Sequence, residues 1–130
     1  PDKYTAIRMA GEQLVARGYV EASYIDAMLA REEVVTTYIG EGVAIPHGVG
    51  TAKQFIKKTG LAVLQFPEGV PFGDEKAYLV VGIAGLEEEH LPILQALATI
   101  MLDEERIEAI KHSSDPAFIY ESLVNGGFED

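Results

Sequence analysis

In the segment Gly40-Glu41-Gly42-Val43-Ala44-Ile45-Pro46-His47-Gly48, a histidine stands between a residue of fixed φ and a residue with no side chain. Pro46 stiffens the approach to the ring. Gly48 lets a bulky group come close to the backbone and offers amide N–H donors to an anion. A fixed ring, open space before it and donors for an incoming anion are what a neutral imidazole nucleophile requires. An unreactive loop histidine at a tight turn uses the same residues, so chemistry alone leaves both readings open.

Three further residues join this candidate. His90 follows an apolar run and the acidic loop Glu87-Glu88-Glu89. The end of a strand leading into a helix is the favoured ligand edge of an α/β sheet, so His47 and His90 can meet there. A capping or packing histidine fits that position equally. Arg31, at the end of a helical pattern, carries a guanidinium suited to clamping phosphoryl oxygens in pairs. A surface ion pair with Glu32, Glu33 or Glu41 is its ordinary alternative. Glu41 lies six residues before His47 and can orient the ring or pair with Arg31, or simply be solvated. His112 reads as a helix-end histidine favoured by the dipole, and Lys53, Lys57 and Lys58 as a solvated cluster.

Other chemistries are excluded by what the chain lacks. It has no cysteine, so no thiolate nucleophile, disulfide framework or iron–sulfur site can form from it. No Gly-x4-Gly-Lys-Ser/Thr loop, His-Glu-x-x-His helix or Gly-x-Ser-x-Gly elbow occurs. Without an i, i+4 histidine pair, a metal-binding hydrolase built on His47 and His90 is a minor alternative, and no cofactor or metal is expected. The formal net charge of −11, from 10 Lys+Arg against 21 Asp+Glu, argues against binding nucleic acid or anionic lipid. No apolar run approaches the ~20 residues of a membrane span.

The elements that must position these residues follow from periodicity. Residues 1–17 predict an amphipathic helix, with Ile7, Ala10, Leu14 and Val15 at helical spacing and Gly18 as its stop. Residues 22–33 predict a second, with a stripe of Ile25, Met28 and Leu29 and Glu21 or Ser23 near its start. Residues 34–52 read as a strand edge feeding a loop. A strand is expected at 60–66, a turn at Pro67-Glu68-Gly69 and a short returning strand at 70–72. Residues 77–84, apolar on both alternating faces, predict a central strand covered on both sides. Three helices then follow, carried by Leu91, Leu94, Leu97, Ala98 and Met101, by Ile107 and Ile110, and by Phe118, Ile119 and Leu123. With 130 residues and 48% apolar composition, the expectation is one α/β domain over residues 1–130. Its architecture is a three-layer sandwich, a small mixed sheet with helices on both faces.

On these residues the sequence resembles the enzyme IIA domain of the mannitol/fructose class of the bacterial sugar phosphotransferase system, and the mannitol type most. The carrying segments are Ala10-Gly11-Glu12-Gln13-Leu14-Val15-Ala16-Arg17-Gly18-Tyr19-Val20-Glu21, Ala27-Met28-Leu29-Ala30-Arg31-Glu32, and Thr37-Tyr38-Ile39-Gly40-Glu41 through Pro46-His47-Gly48. Gln65-Phe66-Pro67-Glu68-Gly69-Val70-Pro71-Phe72-Gly73 and Glu89-His90 extend it. The family's usual N-terminal strand is absent and the chain opens on Pro1, so a piece of a longer chain is expected. The resemblance implies a cytoplasmic phosphotransferase. It would take a phosphoryl group from the histidine-containing phosphocarrier protein onto His47 and pass it to a cysteine of the IIB domain, which serves the membrane IIC domain. It also implies that His90, Arg31 and Glu41 match the family's second histidine, arginine and glutamate. Related regulatory domains of the nitrogen type, or attached to transcription regulators, use phosphorylation as a signal and are the alternative.

Overall fold

A computed structural model describes residues 2–48 and 50–86, with Pro92, Gln95, Thr99, Leu102, Asp103, Glu105, Ile107, Glu108 and Ala109. The first helix, α1 (Lys3–Ala16), begins where the Asp2 carboxylate accepts the Thr5 N–H at 2.8 Å, a side-chain N-cap. That bond also holds the Asp2 carboxyl below its ordinary pKa. Ala6, Ile7, Ala10, Gly11 and Leu14 form its buried face; Ile7, Ala10 and Leu14 are there as the spacing predicts, while Val15 is half-buried at its edge. The helix stops at Gly18, whose φ of 77° lies in the left-handed region.

The second helix, α2 (Ser23–Val34), departs from expectation in two respects. Its N-cap is Ala22, with no side-chain cap, and its buried face is Tyr24, Met28 and Glu32 rather than Ile25, Met28 and Leu29. The stripe is rotated because two polar groups on it find buried partners, an outcome that hydropathy cannot register.

Four strands make a mixed sheet in the order β1-β2-β4-β3. β1 (Tyr38–Gly40) and β2 (Val43–Ala44) form a small antiparallel hairpin, and β2 runs parallel to β4 (Glu75–Ala84). β3 (Gly60–Phe72) runs antiparallel to β4. The expected turn at Pro67-Glu68-Gly69 does not reverse the chain. Pairing passes from Gln65↔Leu79 to Val70↔Ala77, so residues 66–69 bulge out opposite Tyr78 and the strand resumes. Gly69 takes the positive φ, 83°, that the bulge needs. The reversal lies further on, at Gly73-Asp74, where Gly73 has a φ of 71°.

β4 is an interior strand, and Leu79, Val80, Val81, Ile83 and Ala84 are buried along both of its faces. Helix α1 packs against β3, β4 and α2. A 3-10 helix (Gly50–Phe55) is tied to the α1–α2 link where Glu21 N–H donates to Phe55 O at 2.8 Å and Lys57 N–H to Tyr19 O at 2.7 Å. Of the expected C-terminal helices, Pro92, Gln95, Thr99, Glu105, Ile107, Glu108 and Ala109 are helical, and Ile107 is buried. The rest of those segments, with His90 and His112, lies outside the described residues. Among the described residues no helix is long and apolar enough to cross a membrane.

Candidate functional site

Chain direction places His47 at the carboxyl ends of the two parallel strands, β2 and β4. β2 continues through Ile45 and Pro46, and the Ile83 N–H donates to the Pro46 carbonyl at 2.9 Å, so the parallel pairing carries on to the histidine. The ring is held inside the protein with 6% of its surface exposed. Its Nδ1 lies 2.7 Å from the Ile45 carbonyl oxygen. A carbonyl only accepts, so Nδ1 carries the hydrogen and the lone pair sits on Nε2. Burial is the main cause that lowers the pKa of His47. The Ile45 bond opposes it, the positive charges of Arg31 and Lys53 add to it, and the Glu32 charge opposes it. The neutral ring required of a nucleophile is therefore the favoured form.

Gly48 has a different role from the one its freedom suggests. Its N–H donates to the Tyr24 hydroxyl at 2.8 Å, and that hydroxyl donates to the Ile83 carbonyl at 2.8 Å. The amide is thus spent on Tyr24 rather than offered to an anion. A Cβ on Gly48 would stand 2.9 Å from Cε1 of Tyr24 and 3.0 Å from the Ala52 side chain. Close approach to the tyrosine is what requires glycine here. Burial of the Tyr24 hydroxyl raises its pKa, so it remains a protonated donor.

Arg31 and His47 are brought into one electrostatic neighbourhood. Arg31 Nη1 donates to the Val35 carbonyl at 2.6 Å, which anchors the guanidinium at the end of α2. Lys53, expected to be solvated, is half-buried on the 3-10 helix and weighs on the His47 ring. Lys57 and Lys58 are exposed. Glu41 is exposed at the tip of the β1–β2 hairpin, with a φ of 52° between two glycines that also have positive φ. It is not among the charges that weigh most on His47. Among the described residues no group of three His, Cys, Asp or Glu is arranged to hold a metal ion.

Beside Arg31, a groove of about 580 Å³ is lined by Ala27, Ala30, Val34, Val35, Ala52 and Phe55. Val34 and Val35 are 77% and 60% exposed at its edge. Tyr24 escapes a reading of the sequence because its partners, Gly48 and Ile83, lie 24 and 59 residues away; Glu32 and Lys53, read as an ion-pair partner and a solvated lysine, escape because nothing local shows that they are turned inward. The one available signal was a tyrosine and a glutamate in phase with Met28.

Comparison with known proteins adds to this geometry. Residues 1–126 match the family described as phosphoenolpyruvate-dependent sugar phosphotransferase system, EIIA 2. The chain is 46% identical over 125 residues to the PTS system mannitol-specific EIICBA component of Escherichia coli K12, covering 94% of this chain and 20% of that protein. It is 48% identical over 110 residues to the mannitol-specific phosphotransferase enzyme IIA component of Geobacillus stearothermophilus, covering 84% of this chain and 76% of that one. Among solved structures, the complex of mannitol enzyme IIA with phosphorylated mannitol enzyme IIB from E. coli superposes with a TM-score of 0.88. The identity is 44%, over 96% of this chain and 89% of that one.

Proposed function

The chain belongs to the EIIA 2 family of the phosphoenolpyruvate-dependent sugar phosphotransferase system, and on that premise we propose that it carries phosphoryl groups for mannitol uptake, with His47 as the acceptor. The observation that carries this reading is the Nδ1–H bond to the Ile45 carbonyl, which directs the lone pair to Nε2 in a buried ring. Nε2 attacks the phosphorus of a phosphohistidine on the phosphocarrier protein. A new N–P bond forms as the donor's N–P bond breaks, and the donor ring leaves with that electron pair. In the second transfer the His47 N–P bond breaks as a cysteine thiolate of a IIB domain forms an S–P bond.

Such transfers pass through a loose, in-line transition state with charge on the equatorial oxygens. Positioning and fixed positive charge are the protein's main contributions. We assign that charge to Arg31 and Lys53, and carry His90 over from the family resemblance as a further oxygen-holding group. Arg31 spends one donor on Val35 and has four of its five left. Glu41 sits at the hairpin tip as the family's matching glutamate. The exposed valine-lined groove beside Arg31 suits docking of the protein partners, with the work done in the cytoplasm next to a membrane IIC domain. The mannitol assignment is supported by the names of the relatives at 46% and 48% identity.

Incubation with phosphoenolpyruvate, enzyme I and the phosphocarrier, with and without a mannitol IIB domain, tests the reading. Acid-labile, base-stable phosphate is expected on His47, draining to IIB and then to mannitol. His47→Ala is expected to remove it entirely. A stable phosphohistidine in the His47→Ala protein sinks the site assignment. Phosphate that drains to no sugar IIB domain replaces transport with a regulatory role.

A further inference from the structure

Glu32 is the most deeply buried acidic side chain among the described residues, 3% exposed, and phosphoryl transfer as derived above makes no use of it. A buried carboxylate is retained at a cost unless donors compensate it. Here Oε1 accepts both the Thr37 N–H, at 2.8 Å, and the Thr37 hydroxyl, at 2.6 Å. Oε2 is buried without a hydrogen bond among the described residues and faces Lys3 Nζ of α1 at 3.6 Å. Thr37, itself buried, accepts the Ile45 N–H on its carbonyl at 3.0 Å. The next carbonyl in that chain, of Ile45, is the one that takes Nδ1–H of His47.

We propose that Glu32 is a positioning residue for His47, holding Thr37 and through it the Ile45 carbonyl that fixes the ring's tautomer. The connection is continuous: carboxylate to Thr37, Thr37 to Ile45, Ile45 to the imidazole. The first link spans the five residues that lead out of α2, and the second continues the β1–β2 hairpin pairing by one step beyond Tyr38↔Ala44. The proposal deepens the phosphocarrier reading and takes its meaning for the reaction from it. The link to the ring stands on geometry alone. Glu32 also acts on His47 through space, in the sense opposite to Arg31 of its own helix and Lys53 of the 3-10 helix. Lys3 of α1 is the cation that faces Glu32 itself.

Nitrogen-detected NMR of the His47 ring separates these links, measured on the unchanged chain, Glu32→Gln and Glu32→Ala beside the rate of phosphoryl acceptance from the phosphorylated phosphocarrier. The unchanged chain is expected to show one tautomer, with hydrogen on Nδ1. Glu32→Gln keeps an acceptor oxygen for Thr37, so the tautomer is retained while the ring's pKa falls for want of the anion. Glu32→Ala is expected to mix the tautomers and slow acceptance on the order of 10- to 100-fold, as losses of ring-orienting partners do. A folded Glu32→Ala protein that keeps the single Nδ1 tautomer overturns the proposal, whatever its transfer rate. Should Glu32→Ala not fold, Glu32→Met fills the space without offering Thr37 an acceptor oxygen, and an unmoved tautomer there overturns it equally. If the tautomer shifts as expected but the unchanged chain takes no phosphate, the positioning stands and the phosphocarrier reading falls.

Discussion

If His47 is the acceptor proposed above, protonation silences it, because an imidazolium has no lone pair with which to attack. Burial, aided by Arg31 and Lys53, lowers its pKa below the ordinary 6.5. Phosphoryl acceptance should therefore stay level as pH falls through 6.5 and drop only below it, in a rate–pH profile read against the ring's NMR titration. The same shift has a consequence for stability. The unfolded chain binds the proton more readily, so the contribution of His47 is full above its unfolded pKa and is lost as pH falls from there towards the folded value. Denaturant midpoints measured across that window should decline with falling pH, and less so in His47→Gln. That His47 stands in a constrained loop was legible in the sequence, because Pro46 and Gly48 are its chain neighbours; the use of the Gly48 N–H was not, since its acceptor, Tyr24, lies 24 residues away. Lys53 was not, since its effect on the ring depends on how the 3-10 helix is tied to the α1–α2 link.

At the scale of elements, α2 frames the site from one side. Tyr24, Met28 and Glu32 recur at intervals of four on a single buried face, so two polar groups about 12 Å apart along the axis flank one apolar residue. Tyr24 secures Gly48 and Ile83, and Glu32 secures Thr37. Tyr24→Phe should leave the buried Gly48 N–H without its acceptor. It is expected to cost about 1–3 kcal/mol in urea unfolding and to raise hydrogen exchange at Gly48. An unchanged exchange rate there would refute this account of the loop. The helices and the central strand were readable because their apolar periodicity is strong. The β3 bulge was not, because Pro67 and Gly69 have the same local chemistry whether a chain reverses or merely swells, and only pairing with β4 distinguishes the two. The rotated face of α2 escaped for a related reason: hydropathy scores a buried tyrosine and glutamate as surface residues.

For the whole molecule the acidic excess is the dominant long-range property. A net charge of −11 favours encounter with a partner whose contact face is basic, while Arg31 and Lys53, whose charges act on the His47 ring, would offset it locally for a phosphoryl group carried there as proposed. If steering operates, the second-order rate of acceptance from the phosphocarrier should fall as salt rises from about 10 mM to 150 mM, as the screening length shortens from about 30 Å to 8 Å. A rate indifferent to salt would remove charge from the encounter. The α/β class was legible at this scale, since apolar strands and amphipathic helices announce themselves separately. Ile83 brings the scales together. Its N–H closes onto Pro46 and its carbonyl receives Tyr24, so a single residue near the end of the interior strand is clasped, through both of its peptide groups, on either side of the histidine loop. Local opening at Ile83 releases both clasps at once. The competence of His47 is thereby bound to the opening free energy of the strand's last turn of pairing, and the site would be lost by fraying well before the domain as a whole unfolds.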